Sequence, residues 1–380
     1  MMKKILILTA SAGGGHNSAA KALKEAFDIE DCECAIVDSL KFVSPMLDRI
    51  VSRGYEKSAK YIPQTYGSFY KLSAGMMKKN NFDTLLKQVM GKKILNLVLS
   101  KKPDAIIGTH PFPTMALMKY KEIGRIDVPV ISVLTDYTAH PAYVQNNVDA
   151  YIVGDTDVAY LLREFGVSMD KVYPFGIPVS RNFIQRSNVE LVKEEFQLED
   201  KFTVILMGGS FGAGNMRDCL LDLISSDYDF QIIVITGHDY SLKEKLNKLV
   251  SNINSNKPIR ILGFTKEMPE LLTIGDVLVT KPGGLTTTEA MLKGIPMVIP
   301  YYIPGQEEEN IDYLLNNGLA IKTSTNYSLP LCIEMLMDNP ERKQEIIERM
   351  EKKRKPDCAD KTAKLVLSLI DKNENSSKMS

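Results

Sequence analysis

A strand that breaks at Pro-Gly-Gly and restarts as a helix restricts a chain to few folds, and residues 277–310 read that way. Val277-Leu278-Val279 is an apolar run suited to a buried strand, and Pro282-Gly283-Gly284 ends it. An amphipathic helix is expected from about Thr286 to Lys293, stopped by Gly294 and Pro296, before Met297-Val298-Ile299 begins the next strand. The carboxyl edge of such a unit presents main-chain N–H groups and the positive end of a helix dipole, which favour an anion. Gly283 and Gly284 lack a Cβ, so a phosphate or a sugar can approach the main chain closely.

Two acidic positions in this stretch have both a plain and a functional reading. Thr286-x-x-Glu289 fits a capping box, in which the carboxylate folds back on the helix's own N–H groups. The same carboxylate could instead grip a pair of ribose hydroxyls. Gln306-Glu307-Glu308-Glu309-Asn310 precedes a helix expected over 310–316, where acids are ordinary dipole chemistry. In a parallel sheet, however, this second loop shares an edge with Pro-Gly-Gly.

The rest of the chain repeats the alternation of strand and helix, which predicts two doubly wound α/β domains in 380 residues. Lysine plus arginine equals aspartate plus glutamate at 47 each, so overall charge gives no reason to expect nucleic acid. The five cysteines are scattered without a CxxC pair and read as reduced thiols of a cytosolic protein. No apolar run approaches the ~20 residues of a spanning helix, and the start reads as a strand rather than a signal peptide.

The chain opens with a strand over 3–10, a turn Ser11-Ala12-Gly13-Gly14-Gly15-His16, and a helix that Asn17 is expected to cap. Gly13-x-Gly15-x-x-Ser18, with Asp38 ending the second strand, has a partial likeness to a dinucleotide fingerprint, but the third glycine is absent. Residues 49–102 differ from their surroundings, with twelve Lys/Arg against two acids and many interleaved aromatics. Lys57, Lys60, Tyr66, Phe69, Lys78, Lys79, Lys92 and Lys93 typify them. Such a segment reads either as a membrane-surface element or as a solvated helical insertion whose aromatics pack inward. Asp136 and His140 follow a strand over 128–135, at another carboxyl end. Asp155-Thr156-Asp157 has the DxD pattern of a metal site, but Asp155 sits where it would N-cap the helix over 158–165. GGSFGAGN, after the strand over 202–207, is a second glycine loop and not a P-loop, because no Gly-Lys-Ser/Thr ends it.

Taken together, GGGHNSA, TDYTAH, GGSFGAGN, KPGGLTTTEA and PGQEEEN resemble the lipid-directed glycosyltransferases that make glycosyl-diacylglycerols. That family includes plant monogalactosyldiacylglycerol synthase and, more distantly, the lipid II N-acetylglucosaminyltransferase. The resemblance implies a GT-B plan, two Rossmann-like domains facing across a cleft. It places an acceptor and membrane-binding domain at 1–178 with its insertion at 49–102, a UDP-sugar domain at 179–358, a terminal helix at 359–372 and a polar tail at 373–380.

It further implies that a hexose, glucose by preference, passes from UDP to 1,2-diacylglycerol with inversion. His16 would be the base and Asp136 its helper. Glu289 would hold the ribose, and Gln306 with Glu307 would read the hexose. Gly15, Ser210, Gly212, Pro282, Gly283, Gly284, Leu285 and Thr286 would line the donor, with the main chain at Phe264 reading uracil. Gly14, His140 and Tyr143 would serve the acceptor side. Tyr143 stands where the family usually has tryptophan, and Arg181 comes one residue later than the arginine that meets the donor diphosphate in the plant-like relatives. No cofactor or metal is expected, UDP-sugar being a substrate. The partners implied are diacylglycerol and an anionic membrane surface, with the protein peripheral on the inner face of the cell membrane. A UDP-sugar 2-epimerase, a lipid II-type transferase and a nucleotide-sugar-responsive regulator at the membrane are the rival readings.

Overall fold

The computed structural model describes residues 2–11, 14–44, 46, 49, 83–185, 187–209, 214–253 and 255–379. Two compact units emerge: one runs up to Ser180 and takes in the chain again from Lys355, and the other holds Arg181–Arg354. Each is built on six parallel strands. Most strands are buried along their length, which is why they read as continuous apolar runs instead of alternating ones.

In the first unit the strands are β1 (Lys4–Thr9), β2 (Glu33–Asp38), β3 (Ala105–Gly108), β4 (Val130–Val133), β5 (Ala150–Ile152) and β6 (Val172–Tyr173). Their order is β2-β1-β3-β4-β5-β6, so the chain reverses its direction of travel between β1 and β3. Leu8 pairs with Gly108, which brings the loops after these two strands out side by side. The Gly15–Ile29 helix buries Ala19, Ala20, Leu23, Ala26 and Phe27, one stripe at helical spacing.

Against that helix packs the last helix, Cys358–Met379, which adds Ala359, Ala363, Val366 and Ile370 to the core of Ile5, Ile7, Leu23 and Phe27. Each large aliphatic or aromatic side chain buried this way contributes about 1.5–3 kcal/mol. The helix also runs through 373–379, where the sequence reading has a polar tail. Lys3 meets Glu374 at 2.5 Å, and the Asn373 amide donates to the Asp127 carbonyl at 2.8 Å.

Two local expectations are corrected. The first helix begins at Gly15 with Gly14 as N-cap, so Asn17 lies inside it. There its side-chain oxygen accepts from the Thr9 hydroxyl at 3.0 Å. Asp38, which ends β2, caps the Ser39–Val43 helix through the Leu40 and Lys41 N–H groups and also takes the Ser11 hydroxyl. The helix expected from Thr286 starts at Gly284. Asp155 does cap the Thr156–Glu164 helix, accepting from Asp157 N at 3.1 Å, and all five cysteines are free thiols.

The second unit holds β7 (Thr203–Met207), β8 (Gln231–Ile235), β9 (Ile259–Leu262), β10 (Val277–Thr280), β11 (Met297–Ile299) and β12 (Ala320–Lys322). Their order, β12-β11-β10-β7-β8-β9, is the dinucleotide-fold order, with its reversal between β7 and β10. Met207 pairs with Thr280, so the two glycine loops leave the sheet as neighbours. Ser210 and Gly212 in the first of these loops lie outside the described residues.

Candidate active site

Open parallel sheets bind ligands where the strand order reverses, beyond the carboxyl ends. At that point in the first unit stands His16, in the first turn of its helix and 9% exposed, not on an open turn. Its Nδ1 lies 2.7 Å from the Thr109 carbonyl just past β3, while the Thr109 hydroxyl donates back to the His16 carbonyl at 3.1 Å. A carbonyl can only accept, so Nδ1 carries the proton. The Thr135 hydroxyl, 2.9 Å from the same nitrogen, then acts as a second acceptor. Nε2 is left with its lone pair. Burial pushes the His16 pKa below its usual value, against the pull of the Asp136 charge, so the ring is a neutral base at neutral pH.

Around His16 the loops after β1, β3 and β4 bring together residues that are far apart in sequence. His110 meets its ring edge to face, with centroids 4.6 Å apart, and burial above all holds His110 well below its usual pKa. The Nδ1 of His110 accepts from Phe112 N at 3.2 Å, capping the Pro111–Glu122 helix. Asp136 is 7% exposed and acts on both His16 and Tyr143. Tyr143 is buried too. Burial and the Asp136 charge raise its pKa against hydrogen bonding with Thr135, so it forms part of the packing. His140 acts locally. Its Nδ1 caps the short Pro141–Tyr143 turn at 3.1 Å, and burial lowers its pKa to about 4.

In the second unit the reversal point is built on the glycines. The helix after Pro-Gly-Gly spans Gly284–Lys293, two residues longer at its start than expected, with Gly283 as N-cap and no side-chain cap. This overturns the capping-box reading of Glu289, which stands sixth in the helix, out of reach of the first N–H groups. Burial instead raises the Glu289 carboxyl to about 8. Gly294 ends the helix at φ 67.

The other acidic loop also starts its helix earlier than expected. Gly305, at φ 103, turns the chain so that Gln306–Asn316 is helical from Gln306. Glu307 then points inward: it pairs with Lys281 and accepts from Ile303 N at 2.8 Å. Asn310 donates to the Pro282 carbonyl at 2.9 Å, tying the two loops together. Leu285 is buried and Thr286 half-buried. Phe264 is 52% exposed and stacks on His238, centroids 4.3 Å apart. Below the first glycine loop, Tyr301 donates to the Met207 carbonyl at 3.1 Å. A Cβ on Gly214, at φ 111, would overlap its ring.

Sequence reasoning missed Thr109, Thr135, Lys281, Tyr301 and Asn310. Lys281 lies inside the KPGG motif, but a lysine is exposed by default and nothing in the sequence marks this one as buried. Lys92 and Lys93 are exposed on the Asp83–Lys101 helix, whose Met90, Ile94, Leu95 and Val98 are buried. Lys93 donates to the Val43 carbonyl at 2.6 Å. Lys57, Lys60, Tyr66, Phe69, Lys78 and Lys79 lie outside the described residues.

Two Rossmann-like domains, each with a glycine loop at its reversal point, define the GT-B class of glycosyltransferase folds. Solved structures share the fold. MurG of Acinetobacter baumannii matches with a TM-score of 0.63 over 96% of this chain and 99% of that one, at 15% identity. S. aureus MnaA, in its co-structure with UDP, matches at 0.62 over 97% and 98%, at 14% identity. Residues 16–179 match the Monogalactosyldiacylglycerol (MGDG) synthase family, and residues 185–353 match Glycosyl transferases group 1. The processive diacylglycerol beta-glucosyltransferase of Bacillus subtilis (strain 168) is 33% identical over 324 residues, 84% of this chain and 83% of that protein. Its namesake in Bacillus cytotoxicus is 31% identical over 321 residues, covering 84% and 81%. The chain belongs to this diacylglycerol glucosyltransferase family, as its motifs implied, and is a glycosyltransferase.

Proposed function

We propose that the protein transfers a hexose, glucose by preference, from UDP to the free hydroxyl of 1,2-diacylglycerol with inversion at the anomeric carbon. The observation that carries this is His16. With Nδ1–H committed to the Thr109 carbonyl, Nε2 is a fixed lone pair at the reversal point of the first sheet. That nitrogen takes the hydroxyl proton as the oxygen attacks the anomeric carbon, and the Asp136 charge steadies the imidazolium formed. Main-chain N–H groups in the first turn of the Gly284–Lys293 helix receive the departing UDP, so the charge leaving with it is met without a resident metal or cofactor. Glu289 accepts from the ribose hydroxyls.

The names of the relatives support diacylglycerol as acceptor and glucose as the sugar. Association with an anionic membrane surface draws support from exposed Lys41, Lys92, Phe42 and Met46. The Ser39–Val43 helix that carries Lys41 and Phe42 packs on Asp83–Lys101, which carries Lys92. Among the described residues no helix is long and apolar enough to cross a membrane.

The test is a product assay with UDP-glucose and UDP-galactose on vesicles containing diacylglycerol. A β-glucosyl lipid formed in preference to the galactosyl lipid is expected. Conversion of a UDP-sugar to its epimer without lipid product would replace the reading with that of an epimerase.

A further inference from the structure

Lys281 occupies a place where a lysine needs an explanation. Its side chain is 17% exposed, and it follows β10 directly at the reversal point of the second sheet. Its stem crosses the position that a Cβ on Gly209 would need, 2.9 Å from Cε, and Nζ lies 3.8 Å from such an atom on Gly209 and also on Gly283. The ammonium is therefore lodged between Gly209 and Gly283. A helix begins at Gly284 just beyond it, and a cation there is electrostatically misplaced unless an anion answers it.

In this structure the anion is Glu307. That carboxylate is committed on both oxygens, one to Lys281 and the other to Ile303 N, and the residue is 6% exposed. A hexose hydroxyl could reach it only by displacing Lys281.

We propose that Lys281 is the side chain that meets the donor's diphosphate, and that Glu307 is the counter-ion that holds it in the empty site and not a reader of the hexose. Resting on the UDP-sugar reading above, this describes an exchange: the ammonium holds Glu307 when the site is empty and turns to the β-phosphate when the donor arrives. Gly209 and Gly283 leave the room for that movement. A lysine suits this exchange, because its compact charge on a flexible stem can change partners without a fixed geometry.

The test is calorimetric titration of the whole protein with UDP, UMP and UDP-glucose. Parent protein that binds none of them would remove the donor reading itself, whatever Lys281 does. Given binding by the parent, Lys281→Met should weaken UDP roughly ten- to hundredfold, the range for one charge-assisted bond, while UMP changes little. If UDP and UMP weaken together, or neither does, the ammonium does not meet the β-phosphate and the proposal fails.

Because Lys281→Met leaves Glu307 buried without its partner, Lys281→Met combined with Glu307→Gln repeats the test in a neutral pair. Glu307→Gln alone should tighten UDP and UDP-glucose by the same factor, by releasing Lys281. A loss confined to UDP-glucose would return Glu307 to the hexose and overturn the counter-ion role.

Discussion

The two reversal points use burial to opposite ends. On the first sheet, burial strips protons from histidines: His16, His110 and His140 are all held below the usual imidazole value. On the second sheet, burial keeps a proton on Glu289, and a lysine is matched to a carboxylate. One edge is set to accept a proton, the other to accept a ligand that brings its own negative charge. The difference follows from which charge each edge must answer, because the strand-and-glycine framework beneath them is nearly the same.

The largest expected effect lies at the first edge. His16→Ala should lower kcat by roughly 10²–10⁴, the range for losing a general base, and leave UDP affinity as in the parent. Turnover and UDP affinity measured on the same variant check it. Equal losses in both would break the comparison, by making His16 part of the donor site.

Next comes Glu289→Gln. If the carboxylate grips ribose, UDP affinity measured above about pH 8, where Glu289 is ionised, should fall by about 1.5–3 kcal/mol, with the fold intact. Unchanged binding by calorimetry would leave Glu289 without a role in the donor site. The same substitution carries a pH signature.

The folded carboxyl is raised from 4.5 to about 8, so its contribution to stability is fully present below the unfolded value. That contribution declines as pH rises and is gone above about 8, where the buried group is forced to ionise. Urea unfolding at about pH 5.5 and about pH 8.5 should therefore show a decline in the parent that is smaller in Glu289→Gln. Equal declines would assign the pH dependence to another group.

How much of this was readable beforehand differs between the edges as well. The strands and the glycine loops were legible because apolar runs and Pro-Gly-Gly breaks are local signals. His16 stood out after three glycines, yet Thr109 and Thr135, which fix its tautomer, lie 93 and 119 residues away along the chain. Only the strand order brings them together. Glu289 was ambiguous for a local reason, since a capping box and a ligand site ask for the same residue types, and the helix start at Gly284 settles the choice against the cap. Lys281 was not legible, because its burial depends on Gly209 and Glu307, which lie far from it along the chain.

The smallest effect separates two neighbours on the first unit. Lys92 and Lys93 are both exposed on the Asp83–Lys101 helix, and the sequence treats them alike. The structure does not: Lys93 Nζ is bound to the Val43 carbonyl, at the end of the helix that carries exposed Phe42. If this face meets an anionic surface, Lys92→Ser should weaken sedimentation with anionic vesicles by about 1 kcal/mol and leave neutral vesicles unaffected. Lys93→Ser should register in unfolding, at about 0.5–1.5 kcal/mol for the lost hydrogen bond. Its separate effect on vesicles should be smaller than that of Lys92→Ser, because its charge is tied inward. UDP affinity should be untouched in both variants, since the donor groups belong to the other unit. If neither variant alters vesicle binding while Lys93→Ser still lowers stability, the described part of this basic segment is a packed and solvated helix, and the membrane role passes from it.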